Sequence, residues 1–198
     1  RYTVRDARRI MATKRTGKSK GSKLPEPLAM LAKDHDTVSK LFKKYEKAES
    51  AEQRTILQSI CAALTAHAQL EEELFYPALR SALGEDGDDL LDEATVEHST
   101  VKALVAELED AEPGDELVDA KVTVLSEYVK HHVEEEEDEI FPKAKKSKSL
   151  DMEALGEEMA VRKAELEAEA GVTPRESSKR VAAGRGDREG SRAAAPRH

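Results

Sequence analysis

Residues 67–77 read HAQLEEELFYP, and residues 131–142 read HHVEEEEDEIFP. Aligned on Pro77 and Pro142, His67 falls on His132 and Glu71 falls on Glu136. Upstream, His35 opens HDTVSKL and His98 opens HSTVKAL, a shared H-x-T-V-x-x-L. The chain thus carries an internal repeat of metal-ligand residue types: a lone histidine, then H-x-x-x-E running into an aromatic and a proline. A histidine and a glutamate four residues apart lie one turn apart on the same face of an α-helix. The spacing is therefore a statement about fold as well as chemistry.

The surrounding apolar pattern has the helical period throughout, and it predicts five helices. The first follows Pro25 and Pro27 and ends near Ser50, with Leu28, Leu31, His35, Val38, Leu41 and Tyr45 on one stripe. The second, about 51–83, aligns Leu57, Ile60, Leu64, His67, Glu71, Leu74, Phe75 and Ala78 before GEDGDD breaks it at 84–89. The third, about 90–111, presents Leu91, Ala94, His98, Val101 and Leu108, and EPGD at 112–115 ends it. The fourth, about 116–146, presents Val122, Leu125, Val129, His132, Val133, Glu136 and Ile140. Pro77 and Pro142 should each end or kink their helix after the ligand turn. A fifth helix, about 150–170, has the narrower stripe Leu155, Met159, Leu166.

Register separates ligands from surface decoration. Glu71 has Leu64, Ala68 and Phe75 at minus seven, minus three and plus four, and Glu136 has Val129, Val133 and Ile140 at the same offsets. An ionised carboxylate turned into a core costs several kcal/mol unless a cation compensates it. No Lys or Arg occupies those inward positions, so a divalent metal supplies the counter-charge. Glu72, Glu73, Glu134, Glu135, Glu137 and Glu139 read as a solvated acidic face. His131, with Glu127 and Glu135 one turn to either side, falls on the polar side, and Tyr128 lies one position off the stripe.

Composition bounds the rest. A chain of 198 residues, 38% hydrophobic and without tryptophan, buries one modest core in a single all-α domain. A single cysteine, Cys61, excludes an internal disulfide and fits a reducing compartment. No run of 18 apolar residues and no apolar signal core is present, so the expectation is a cytoplasmic protein with no membrane association. Residues 1–23 carry +8 and residues 172–198 carry +4, leaving −21 on residues 24–171 within an overall −9. The expected organisation is a helical bundle over 24–171 flanked by two basic, flexible, disordered tails. Contact of those tails with nucleic acid is a weak alternative, since no folded DNA-reading motif accompanies them. Met11 opens MATKRTGKSKGSK and reads as a natural start, and residues 1–10 upstream of it are assigned no function.

An up-down antiparallel four-helix bundle with inward His and Glu is the geometry for a dinuclear centre, because each facing helix supplies part of the cage. One ion would take His35 and His67 and the other His98 and His132, with Glu71 and Glu136 bridging. Mixed imidazole and carboxylate donors favour iron, with manganese or zinc as substitutes.

At these residues the chain resembles the hemerythrin-like family, the HHE cation-binding proteins, over about 28–145. The resemblance implies a non-haem, oxo- or hydroxo-bridged di-iron centre that binds O2 or related ligands such as NO and peroxide. It also implies that His35, His67, Glu71, His98, His132 and Glu136 are the ligands. Oxygen-carrying members have a further histidine one turn after the third-helix histidine, where this chain has Lys102. With four histidines the site either leaves an open position on each iron or borrows Tyr128 or His131. The expected function is therefore a sensor, scavenger or store for O2, NO or peroxide. The alternatives are a catalase- or peroxidase-like di-iron enzyme, and a regulatory interaction protein with a structural metal. The inward stripe offers the enzyme reading no general acid or base.

Overall fold

The computed structural model describes residues 24–112 and 114–169, so both basic segments, 1–23 and 172–198, lie outside the described residues. Regular structure among the described residues is entirely helical: α1 (Glu26–Tyr45), α2 (Ser50–Leu70), α3 (Tyr76–Leu83), α4 (Glu85–Glu109), α5 (Val118–Glu135), α6 (Phe141–Lys146) and α7 (Met152–Glu169). Two π-helical segments, Glu71–Phe75 and Glu136–Ile140, join α2 to α3 and α5 to α6. Five rods result.

The histidines and glutamates form a polar layer that divides the core. On one side lie Val38, Phe42, Ile60, Leu64, Val101, Val105, Leu125 and Val129; on the other lie Leu28, Leu31, Leu70, Phe75, Leu79, Leu91 and Ile140. α1 and α4 cross this layer in one direction, from Leu28 and Leu91 to Phe42 and Val105. The α2 and α5 rods cross it in the other, which makes the four an up-down antiparallel bundle. α7 lies across α1 and α2, burying Leu155, Met159 and Leu166 on the second cluster. Gly156 permits this approach, since a Cβ there would stand 3.2 Å from Pro27 Cδ.

The helix ends follow local chemistry, with two departures from the sequence reading. Gly84 alone, at φ +58 and ψ −147, ends α3, and Glu85–Asp89 already belong to α4. Glu85, Asp86 and Asp88 in that first turn complement the helix dipole, so GEDGDD starts a helix rather than filling a loop. The second departure concerns the prolines, neither of which ends its rod. A π turn precedes each, with Tyr76 N–H donating to Glu71 O and Phe141 N–H donating to Glu136 O, five residues back. The added residue accommodates a proline that has no N–H to give.

Candidate metal centre

Each candidate ligand glutamate, Glu71 and Glu136, opens a π turn, and that turn resets the inward stripe by one residue. Uninterrupted α geometry would follow Glu71 with Phe75 and Ala78. In the structure Phe75, Tyr76 and Leu79 are buried, and after Glu136 the matching set is Ile140, Phe141 and Ala144. The widened turn brings an additional aromatic from each half beneath the histidines. Phe141 stacks on His35 at 6.0 Å and 16°, and Tyr76 lies over His98 at 5.4 Å and 30°.

The six candidate ligands are all buried and all meet in one layer. Nε2 atoms approach in pairs, His35 with His67 at 3.2 Å and His98 with His132 at 3.1 Å. Two nitrogens bound at right angles to one ion at ~2.1 Å stand about 3.0 Å apart, so each pair has the spacing of a shared ion. Glu71 Oε2 lies 3.2 Å from His67 Nε2 and 3.3 Å from His98 Nε2, between the two pairs, and Glu136 Oε2 lies 3.1 Å from His35 Nε2. The donor atoms form two metal-capable groups: His35, His67, Glu71 and Glu136, and Glu71, His98 and His132. Glu71 is common to both, whereas Glu136 belongs to the first.

Both glutamates are 0% exposed, and their four carboxylate oxygens lack a hydrogen-bond partner in good geometry. Buried carboxylates so placed are costly, and a cation offsets that cost. Proton affinities reflect the crowding. Burial would lower His35, but the adjoining carboxylates of Glu136 and Glu137, the latter hydrogen-bonded to its Nδ1, outweigh it and raise it to about 9. Burial likewise opposes the drop of Glu136 to about 2 that His35 imposes. Glu71 rises well above the usual carboxylate range through burial first and the Glu136 charge second. Burial lowers both His67 and His98, the latter to about 4.

Behind the ligands stands a set of carboxylates that the sequence reading placed on the solvated face or left without a role. Glu137 Oε1 accepts from His35 Nδ1 at 2.8 Å, Glu72 Oε1 is 3.1 Å from His98 Nδ1, and Glu97 Oε2 is 2.8 Å from His132 Nδ1. Asp34 is 3.8 Å from His67 Nδ1. These contacts repeat with the ligands. The acid before each lone histidine faces the H-x-x-x-E histidine of its own half, and the glutamate after each ligand glutamate faces the lone histidine of the other half. Such partners fix the tautomer and orientation that leave Nε2 for a metal. Adjacency to the ligands in sequence was the available signal.

Neither proposed extra ligand reaches the centre. Tyr128 is 44% exposed, and the His131 side chain, 57% exposed, turns to Glu97 and Glu135. Lys102 also points out, donating to Glu72 Oε1 at 2.6 Å, because position three after His98, Val101, is the one that faces in. The phenol at the centre belongs to Tyr76, whose hydroxyl is 3.4 Å from His98 Nε2. Burial and then the Glu71 and Glu136 charges raise its pKa, so it remains a neutral phenol.

A family description, hemerythrin HHE cation binding domain, matches residues 26–144, more than half of the chain. The chain belongs to the hemerythrin HHE cation-binding family. Its His/Glu clusters make the bundle a cation-binding domain of that family. In fold it is similar to the crystal structure of a hemerythrin HHE cation-binding domain-containing protein from Mycobacterium kansasii, with a TM-score of 0.60 at 22% identity, over 75% of this chain and 91% of that one. It is also 33% identical over 110 residues to a DNA nickase of a Nostoc species. That match takes in 54% of this chain and 30% of the nickase, so the chain spans under a third of that relative's length. None of the described helices is long and apolar enough to cross a membrane.

Proposed function

We propose that this protein is a non-haem di-iron protein that binds O2, NO or peroxide between its four inward histidines, as a sensor, scavenger or store. The observation that carries this reading is a small cavity of about 20 Å³ beside the histidines, walled by Val38, Leu64, Val101, Val129 and Val133. Four of these aliphatics lie three residues from a ligand histidine, Val38 after His35, Leu64 before His67, Val101 after His98 and Val129 before His132, so the repeat duplicates the cavity wall with the ligands. A space that size admits a body of about one water molecule, and an aliphatic wall favours an uncharged one.

His35 and His67 would hold one iron, His98 and His132 the other, with Glu71 between them and Glu136 beside the first. When bound, the iron pair supplies redox-active positions open to a small ligand. Glu137, Glu72 and Glu97 orient the imidazoles, and the aliphatic wall excludes water. The test is iron content with an optical spectrum before and after air, NO and peroxide. Wild type should hold about two irons per chain, as two-metal sites do, and show a ligand-dependent near-ultraviolet and visible band. His67→Ala and Glu136→Ala should lose both, and retention of full iron by either variant refutes the ligand assignment.

Tyr76 favours a second reading, a peroxide-consuming enzyme. Its buried hydroxyl is a proton donor within reach of a ligand at the His98 and His132 position. Under that reading, Tyr76→Phe keeps its iron and loses at least about 100-fold in O2 release from peroxide, the low side of what general acid catalysis contributes. Equal turnover by the two proteins rejects it.

A further inference from the structure

A second, larger cavity of about 310 Å³ lies beneath α7, between it, α1 and α2. Its floor is a run of small residues on α2, Ala62, Ala63 and Ala66, which leave space where larger side chains would have met the C-terminal helix. Of its lining residues Ser59 and Thr37 are exposed, and it reaches inward to Asp34, Val38 and His67, of which the last two are buried. Those same three residues wall the small cavity at the histidines. The cavity beside Cys61 shares Ala62 and Ala66 with the one beneath α7, but neither it nor the cavity beside Tyr45 shares a residue with the small cavity at the histidines.

The inner end differs chemically from the other three corners of the centre. Lys163 of α7 binds both carboxylate oxygens of Asp34, and Asp34 stands 3.8 Å from His67 Nδ1, against 2.8–3.1 Å for the other three acid–histidine pairs. His67 Nδ1 is consequently buried with no hydrogen-bond partner, on a side chain 8% exposed. Lys163 holds the acid away from the imidazole at the place where the two cavities meet.

We propose that the cavity beneath α7 is the route by which a small uncharged molecule reaches the metal centre, and that Lys163, by holding Asp34 off His67, keeps its inner end open. The route rests on the reading of the centre as a binder of small gaseous or peroxidic ligands. It makes α7, which lies beyond the family-matched segment, part of the working device rather than a brace. A route, unlike a binding site, changes rates in both directions and leaves equilibrium affinity alone.

The test narrows the route with Ala63→Phe in its floor and Ser59→Phe in its exposed lining, with Thr65→Phe in the neighbouring Cys61 cavity as control. Stopped-flow binding of NO to the iron(II)-loaded full chain should slow at least about tenfold in each of the first two. NO release should slow by the same factor, with Kd unchanged, and Thr65→Phe should leave both rates alone. Unchanged rates in Ser59→Phe, or equal slowing by Thr65→Phe, overturn the proposal. A second readout needs no iron: in the zinc-loaded full chain, dissolved O2 should broaden the methyl resonances of half-buried Ala63 more than those of half-buried Ala48, and those of buried Val38 more than those of buried Val105. Uniform broadening overturns the route. A wild-type protein that holds iron yet shows no optical response to NO refutes the reading of the centre, while the methyl measurement still judges the route.

Discussion

The crossed contacts behind the histidines make a prediction that a merely acidic surface would not. Glu137, in the second half, hydrogen-bonds His35 in the first; Glu72, in the first half, faces His98 in the second. Replacing either acid with glutamine keeps an acceptor in place and removes the charge. Loss of such a partner typically costs 10–100-fold in metal affinity, or about 1.4–2.7 kcal/mol. The two sites need not lose equally. Glu137 stands 2.8 Å from Nδ1, whereas Glu72, at 3.1 Å, also binds Lys102 at 2.6 Å and shares its charge with that cation. Glu137 is 42% exposed, and solvent screening holds its effect below the upper limit. Glu137→Gln is therefore expected to weaken the His35 and His67 position about 30-fold, and Glu72→Gln to weaken the His98 and His132 position about tenfold.

Stepwise titration with Co²⁺ against a chromophoric chelator, followed by the d–d bands of each step, resolves the two positions. Each variant should shift one step and leave the other within about twofold, well below the 10–100-fold expected for a removed partner. Glu73→Gln is the control, since Glu73 is the next acid in the same run but pairs with Arg162 at 2.6 Å on the surface. Equal weakening of both steps by either variant refutes the crossed arrangement, as does a comparable loss in Glu73→Gln.

Three further outcomes are expected. Burial, and secondarily the charge of Glu109, push the Cys61 thiol up to about 11. Any stability linked to its ionisation is thus fully present below the unfolded thiol range and is lost as pH rises through 11; at pH 8 its alkylation should be at least about 100-fold slower in folded than in unfolded protein, and comparable rates refute this. Gly84→Ala should lower unfolding free energy by about 1–3 kcal/mol in a urea titration, because φ +58 with ψ −147 is a conformation that alanine avoids; a change under ~0.5 kcal/mol refutes the strain argument. The full chain should leave the mobility of DNA unchanged at physiological salt, and a salt-dependent retardation that disappears when residues 1–23 and 172–198 are deleted together refutes this.

What the sequence made legible followed from period and register. Five rods, their antiparallel order and the inward face of His35, His67, Glu71, His98, His132 and Glu136 all depend on apolar stripes with one repeat length. The errors fall where that period changes. Pro77 and Pro142 read as points where a helix ends or kinks, because a missing N–H is visible in sequence while the π turn that accommodates it and lets the rod continue is not. Tyr76 read as a core residue by default, and it is buried, but the same turn hid its place at the centre: counted at 3.6 residues per turn from Glu71 it misses the stripe, and one inserted residue rotates it onto His98. Glu72 and Glu137 were assigned to solvent because they neighbour the inward residue instead of sharing its face. Their side chains reach around the rod to a histidine on another helix, a tertiary contact for which a single helix's periodicity contains no signal.

The repeat also explains why the two histidine pairs differ. It duplicates the ligands, the acids beside them, the aliphatic wall and both π turns. It fails at three places: Glu71 reaches both histidine pairs while Glu136 reaches only the first, Tyr76 in one half answers to Phe141 in the other, and Lys163, from a helix outside the repeat, pairs with Asp34, which stands off His67 while Glu97 stays on His132. The His98 and His132 position thereby has a phenol within reach and both imidazoles fixed. The His35 and His67 position has a phenyl ring in place of the phenol and one imidazole unsupported at Nδ1. An imidazole without its partner is a weaker and more movable ligand. The asymmetry therefore predicts ordered loading, with the His98 and His132 position filling first. It also places the more labile position at the inner end of the cavity beneath α7. In Lys163→Met, Asp34 is free to settle on His67, and the two steps of the Co²⁺ titration should draw together; a gap unchanged from wild type would mean that Lys163 has no part in the difference.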